Sequence, residues 1–152
     1  MRVLGIDLGR RRIGLAVSDA SGTLARPLRT LERGPSDRLA VGALADTIAS
    51  LAREDDGLAL VVIGRPAHLD GSPTAETADA EQMAERLRRR VTVQVVMQDE
   101  RLSSHEAEGR LASTERDWRV RKQKLDAAAA AVILQDYLDA HVSARVTHDP
   151  DA

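Results

Sequence analysis

The chain of 152 residues has no cysteine and no phenylalanine, and its aromatic side chains are Trp118 and Tyr137. Without cysteine there is no disulfide and no thiolate metal site. Two rings cannot build the stacked platforms on which proteins lay single-stranded nucleic acid. No apolar run approaches the roughly 20 residues that cross a bilayer. No signal-like segment precedes Met1-Arg2-Val3. A soluble, cytoplasmic protein without membrane contact is therefore expected. Strong charge of one sign is also lacking, since the net charge is −2. The whole-molecule field announces no nucleic-acid partner, so any such function needs local patches. Lysine is scarce too: of 22 basic residues only Lys122 and Lys124 are lysine. The richness in arginine and alanine fits a composition bias, so the arginine total alone carries little function.

What is present suits one globular domain, with 43% hydrophobic and 30% charged residues. Residues 1–140 are expected to form it, with 141–152 a frayed tail. Its organising stretch is Gly5-Ile6-Asp7-Leu8-Gly9 through Ile13-Gly14-Leu15-Ala16-Val17-Ser18-Asp19, which reads as strand, tight turn and strand. Val3, Gly5 and Asp7 share one face of the first strand, and Leu4, Ile6 and Leu8 share the other. In the second strand Gly14, Ala16 and Ser18 alternate with Ile13, Leu15 and Val17. One side packs into a core. The other leaves an open floor around a carboxylate, where a ligand could approach closely. An acid in mid-strand is disfavoured by propensity, and must be solvated, paired or bound to a cation.

Further along, Thr23 to Thr30 reads as an edge strand carrying Pro27. Gly34-Pro35-Ser36-Asp37 opens a helix whose Leu39, Val41, Leu44, Ile48 and Leu51 recur at helical spacing and which ends by Asp56-Gly57. Leu58 to Ile63 is a short apolar run typical of a central parallel strand, broken by Gly64-Arg65-Pro66. Ser72 as N-cap with Pro73 begins a second helix. Its inner stripe carries Met83 and Leu87. Val91 to Met97 reads as a strand, Ser103 with Glu106 as a capping box for a short helix to about Leu111, 113–124 as a polar loop, and Leu125 to Ala140 as the last helix. Three strands followed by alternating helix and strand predict an α/β fold, a mixed five-stranded sheet with helices on both faces.

Three acids stand out: Asp7 in mid-strand, Glu100 past a strand end, and Asp126 on a helix whose next five residues are alanine. Alanine lets that helix approach the sheet closely and carries Asp126 in with it. Ligands in such sheets gather at the carboxyl ends of strands. Carboxylates brought together repel, and either take up protons or hold hard divalent cations such as Mg2+ or Mn2+. Two of the acids also have a plain role, Asp126 in a helix first turn and Glu100 as a surface partner of Arg101, while Asp7 is the hardest to explain that way. The segment from Arg116 to Lys124 carries five basic residues and one acid. Arg119, Arg121, Lys122 and Lys124 there read either as a solvated loop or as a phosphate-gripping arm. Arg10, Arg11 and Arg12 in the first turn, Arg65 and Arg101 are further candidate phosphate contacts.

At these residues the chain resembles the YqgF (RuvX) family of the RNase H-like superfamily. The resemblance rests on the hairpin, on Val62-Ile63-Gly64-Arg65-Pro66 with Gly71, on Asp99-Glu100-Arg101-Leu102-Ser103-Ser104, and on Asp126 with Ala129-Ala130 and Ile133 through Leu138. It departs at Arg11, where the family commonly has lysine, at Met83, near a family phenylalanine, and at Ala127, where lysine often follows the aspartate. The resemblance implies an RNase H-like fold and a metal-dependent nuclease. The family is described as processing the 5′ end of precursor 16S ribosomal RNA, and also as a Holliday-junction resolvase. Asp7, Glu100 and Asp126 would be its catalytic, metal-binding acids, with Mg2+ or Mn2+ as cofactor. The partners would be structured RNA or branched DNA, with ribosomal precursor particles, and the protein a monomer or homodimer. Two rivals remain at this point: a non-catalytic RNA-binding module, and an actin-like ATP-binding domain, which uses a similar hairpin.

Overall fold

A computed structural model describes the backbone of residues 1–100 and 118–148, and the side chains of 1–100 and 125–141. The strands are β1 (Arg2–Leu8), β2 (Arg12–Ser18), β3 (Ala25–Glu32), β4 (Leu58–Arg65) and β5 (Gln94–Asp99). The helices are α1 (Asp37–Arg53), α2 (Ala75–Arg88) and α3 (Trp118–His148). They form the expected mixed sheet of five strands, in the order β3-β2-β1-β4-β5. β1, β2 and β3 pair antiparallel, while β1–β4 and β4–β5 are parallel.

The alternation in the hairpin sorts the two faces. Leu4, Ile6, Ile13 and Leu15 join Leu44, Ile48, Met83 and Leu87 of α1 and α2 in the larger core. Val3, Ala16 and Val62 face Ala130, Ile133, Leu134 and Leu138 of α3. The face expected to be open floor is therefore roofed by a helix. A Cβ on Gly5 would stand 2.8 Å from Leu134 Cβ, and one on Gly14 would stand 2.0 Å from the Asp126 carbonyl oxygen. The small residues admit the backbone of α3. Gln135 fixes the lateral position of that helix, accepting from Ala25 N at 2.8 Å and donating to Thr23 O at 2.9 Å.

Several element limits differ from expectation, each for a local reason. β3 begins at Ala25 and carries its proline at a register shift on the sheet edge, where a missing N–H is harmless. Ser36 caps α1 within the stretch expected to open it, but α2 starts from Thr74 and not from Ser72. Thr74 and Thr77 hydrogen-bond reciprocally, whereas the Ser72 hydroxyl is spent on Asp70. Gly64 and Arg65 do not break β4 but complete it, opposite Gln98 and Asp99. Arg90 N and Val91 N bond back to Leu87 O, so β5 begins later, at Gln94. Residues 118–124 are helical rather than a loop, and α3 runs beyond Ala140 to His148. Its 31 residues contain neither proline nor glycine to stop it. The expected short helix to Leu111 lies outside the described residues.

The clash at Gly14 is with backbone, which cannot swing aside. Gly14→Ala is predicted to lower unfolding free energy by at least ~1–3 kcal/mol, the usual cost of overpacking. Urea titration measures it; an unchanged midpoint would show that α3 does not need this contact.

Candidate active site

Asp7 lies one residue before the end of β1, on the face toward α3. Its neighbours on both adjoining strands are glycines. On β2 its register partner is Gly14. On β4, Gly64 follows directly on the Ile6↔Ile63 pair. Each glycine admits one of the other two acids. Over Gly14 sits the α3 backbone at Asp126, which brings that side chain within electrostatic reach of Asp7. Over Gly64 lies the side chain of Glu100, whose Oε2 would be 2.5 Å from a Cβ at that position. Glu100 is held just past β5 by its N–H, which donates to Arg65 O at 3.2 Å. From there its side chain crosses β4 and hydrogen-bonds with Asp7.

The three carboxyls are neutralised differently. Burial pushes Glu100 up to about 8, reinforced by the charge and hydrogen bond of Asp7. Burial also raises Asp7, to about 6, with the charge of Asp126 adding to it and the Glu100 hydrogen bond opposing it. Both carboxyls are thus held above the ordinary carboxylate range, and the pair keeps a proton to higher pH than a free acid would. Asp126 instead accepts from Arg12 Nε at 2.8 Å. Among the described residues no three acidic or histidine side chains yet converge as a metal cage. The donor set nevertheless fits a hard divalent ion. It offers carboxylate oxygens only, and two of the carboxyls already lie within hydrogen-bond reach of each other.

The arginines are distributed unevenly. Arg10 donates to Glu76 at 2.7 Å and Arg65 to Glu81 at 3.1 Å, both acids of α2. Arg11 is exposed at the turn. Arg12 belongs to the acidic cluster rather than to an outward-facing patch. Arg101, and the side chains of Arg119, Arg121, Lys122 and Lys124, lie outside the described residues. Sequence reasoning missed Arg33. This buried guanidinium donates to Gly9 O at 2.9 Å, to both oxygens of Asp79 at 2.6 and 2.8 Å, and to Asp37 at 3.1 Å. It ties the β1–β2 turn to the starts of α1 and α2. Nothing in its spacing marked it among so many arginines.

The raised carboxyls make stability depend on pH. Both titrate in the folded chain above their ordinary values near about 4, so the folded state retains protons that the unfolded state has lost. This contribution is complete below about pH 4 and is lost as pH climbs to about 8. Glu100→Gln keeps a donor toward Asp7 without a titrating proton. With chelator present, it should melt above the wild type near about pH 9, and this advantage should vanish near about pH 4. An offset equal at both values would show that Glu100 does not titrate as described.

A family model described as "RuvX: Holliday junction resolvase" matches residues 1–140. A relative from Halalkalibacterium halodurans, named "Putative pre-16S rRNA nuclease", is 42% identical over 139 residues, covering 91% of this chain and 96% of its own. One of the same name from Anaeromyxobacter sp. is 44% identical, covering 91% and 97%. Among solved structures, Thermus thermophilus RuvC in complex with Holliday junction substrate superposes with TM-score 0.53 at 19% identity, covering 93% and 96%. The yeast mitochondrial Holliday junction resolvase Ydc2 gives 0.52 at 12% identity, covering 95% and 80%. These resolvases share the RNase H-like arrangement of sheet and helices found here. A match over 1–140 and identities above 40% across nearly whole relatives agree with the hairpin and its acids: the chain belongs to the RuvX family of nucleases.

Proposed function

We propose that the protein hydrolyses phosphodiester bonds of nucleic acid at Asp7, Glu100 and Asp126, using Mg2+ or Mn2+. The observation that carries this reading is the placement of Glu100 over Gly64, and of Asp126 over Gly14, on either side of Asp7. Structural need does not account for it. Two carboxyls sharing a proton beside a third charge cost stability at neutral pH, and such arrangements cluster where chemistry is done.

Asp7, central among the three, would ligate any ion held there, with Glu100 and Asp126 completing the oxygen set. When bound, such ions supply an activated water and stabilise the departing 3′ oxygen. Glu100 must first give up its proton, so binding releases protons and strengthens as pH rises toward about 8. Arg11, exposed at the turn, is the readiest contact for a neighbouring phosphate. Arg10 and Arg65 can join it by exchanging Glu76 and Glu81 for phosphate oxygens. Arg101 and the basic run Arg119, Arg121, Lys122 and Lys124 complete the proposed nucleic-acid contacts, as polyanion-binding groups directly ahead of Asp126.

For the substrate, the names of the relatives favour the 5′ end of precursor 16S ribosomal RNA. A second reading, cleavage of branched DNA, draws on the description of the family model. A cytoplasmic protein acting on ribosomal precursor particles suits the first.

Asp7→Asn should abolish cleavage, by at least ~100-fold, while leaving the fold and part of the binding intact. The assay is a panel of precursor-like RNA, linear DNA and four-way junctions, with manganese or chelator, beside a circular dichroism spectrum. Full activity in this variant would end the proposal. Binding without cleavage of any substrate by the wild type would favour a non-catalytic module.

A further inference from the structure

Arg12 is the first residue of β2 and lies on the same face as Gly14. Its Nε donates to Asp126 Oδ2 at 2.8 Å, with side chains 19% and 26% exposed. Among the described residues no other nitrogen of this guanidinium has a hydrogen bond. Arg10, Arg33 and Arg65 pair with acids of α1 and α2; Arg12 alone among the described arginines pairs with an acid of the proposed active site. Asp7 and Glu100 hydrogen-bond with each other, whereas Asp126 is paired with a guanidinium.

We infer that Arg12 is an exchangeable internal cation: it holds Asp126 in the resting chain and gives it up when a divalent ion takes the carboxylate and a substrate phosphate takes the guanidinium. The pair is suited to exchange. It is a single hydrogen bond and not a two-pronged fork, and each side chain keeps some access to solvent, so incoming ligands can reach both partners. A phosphate can offer the bidentate geometry that Asp126 does not. A divalent ion placed at Asp126 would repel the guanidinium and drive it outward. By linkage, each ligand then strengthens the other, since each frees the partner that the other needs. Arg12 is thus a positioning residue in the resting chain and a phosphate contact in the loaded one. The inference rests on the metal-dependent reading above.

The test reads binding and not turnover. Mn2+ affinity of the full-length chain is measured by calorimetry without nucleic acid, for wild type, Arg12→Gln, Arg12→Lys and Asp126→Asn. Arg12→Gln should bind Mn2+ about tenfold more tightly, because the competing charge is gone. Arg12→Lys, which keeps the charge, should stay near wild type. Asp126→Asn should bind more weakly. Separately, a fluorescent hairpin RNA with cleavage-resistant linkages is titrated in chelator. Asp126→Asn should bind it several-fold more tightly than wild type, and this gain should disappear when Arg12 is also glutamine. That readout stands even if Arg12→Gln alone folds poorly. Weaker Mn2+ binding by Arg12→Gln with rescue by Arg12→Lys would make Arg12 a support for the ion and overturn the proposal. Unchanged affinity would overturn it equally. Absence of Mn2+ binding by the wild type would instead defeat the metal-dependent reading, and this proposal with it.

Discussion

The structure depends on two missing side chains. Gly14 and Gly64 flank Asp7 on the neighbouring strands, and the space each leaves is filled by part of the acidic cluster. At Gly14 the filling is backbone: α3 lies so close that its carbonyl at Asp126 occupies the position of a Cβ. At Gly64 it is the carboxylate of Glu100, reaching across β4 from the end of β5. A sheet face with ordinary side chains would hold α3 farther out, at the spacing usual for packed layers, and would leave Asp7 without its neighbours. Glycine inside a strand weakens it. Here that weakness is offset by apolar burial along α3, where Ala130, Ile133, Leu134 and Leu138 close over Val3, Ala16 and Val62.

The same arrangement sets the electrostatics. Desolvation under α3 raises two hydrogen-bonded carboxyls. The third acid is met by Arg12. Around this centre, α2 supplies acids to Arg10, Arg33 and Arg65, which lie at or near the same end of the sheet. The exposed pairs are worth little individually and are readily exchanged for phosphate. Buried Arg33 is different, since four acceptor contacts and its own N–H to Arg11 O pin the turn that follows Asp7. The acidic centre is thus rigidly framed, while the exposed basic groups Arg10 and Arg65 near it are loosely held. That division suits the proposed grip on a polyanion over a cation-dependent centre.

Much of this was legible in the residues. Strict alternation in the hairpin gave the two faces of β1 and β2, and an acid on the small-residue face marked Asp7. The alanine run predicted close approach of the last helix. What alternation could not give was the occupant of the small-residue face: a floor of glycine and alanine reads the same whether ligand or helix covers it. Gly64 reads as a strand end because glycine before Arg-Pro is an ordinary breaker; only the parallel register with β5 shows that the strand continues. The start of α3 is hard to read because residues 118–124 have no apolar period, although nothing in them stops a helix. Ser72 reads as a cap because Pro73 imitates a first helical residue, while the reciprocal bonds of Thr74 and Thr77 are visible only in three dimensions. Arg33 was hidden by the number of arginines.

The central claim is that Asp7, Glu100 and Asp126 hold one divalent centre. The most direct test is anomalous diffraction from crystals of the chain grown with Mn2+ near about pH 8, where Glu100 loses its proton. The account predicts a manganese peak at ligand distance from Asp7 and from Glu100 or Asp126. A peak at other residues, or none at saturating Mn2+, would contradict it.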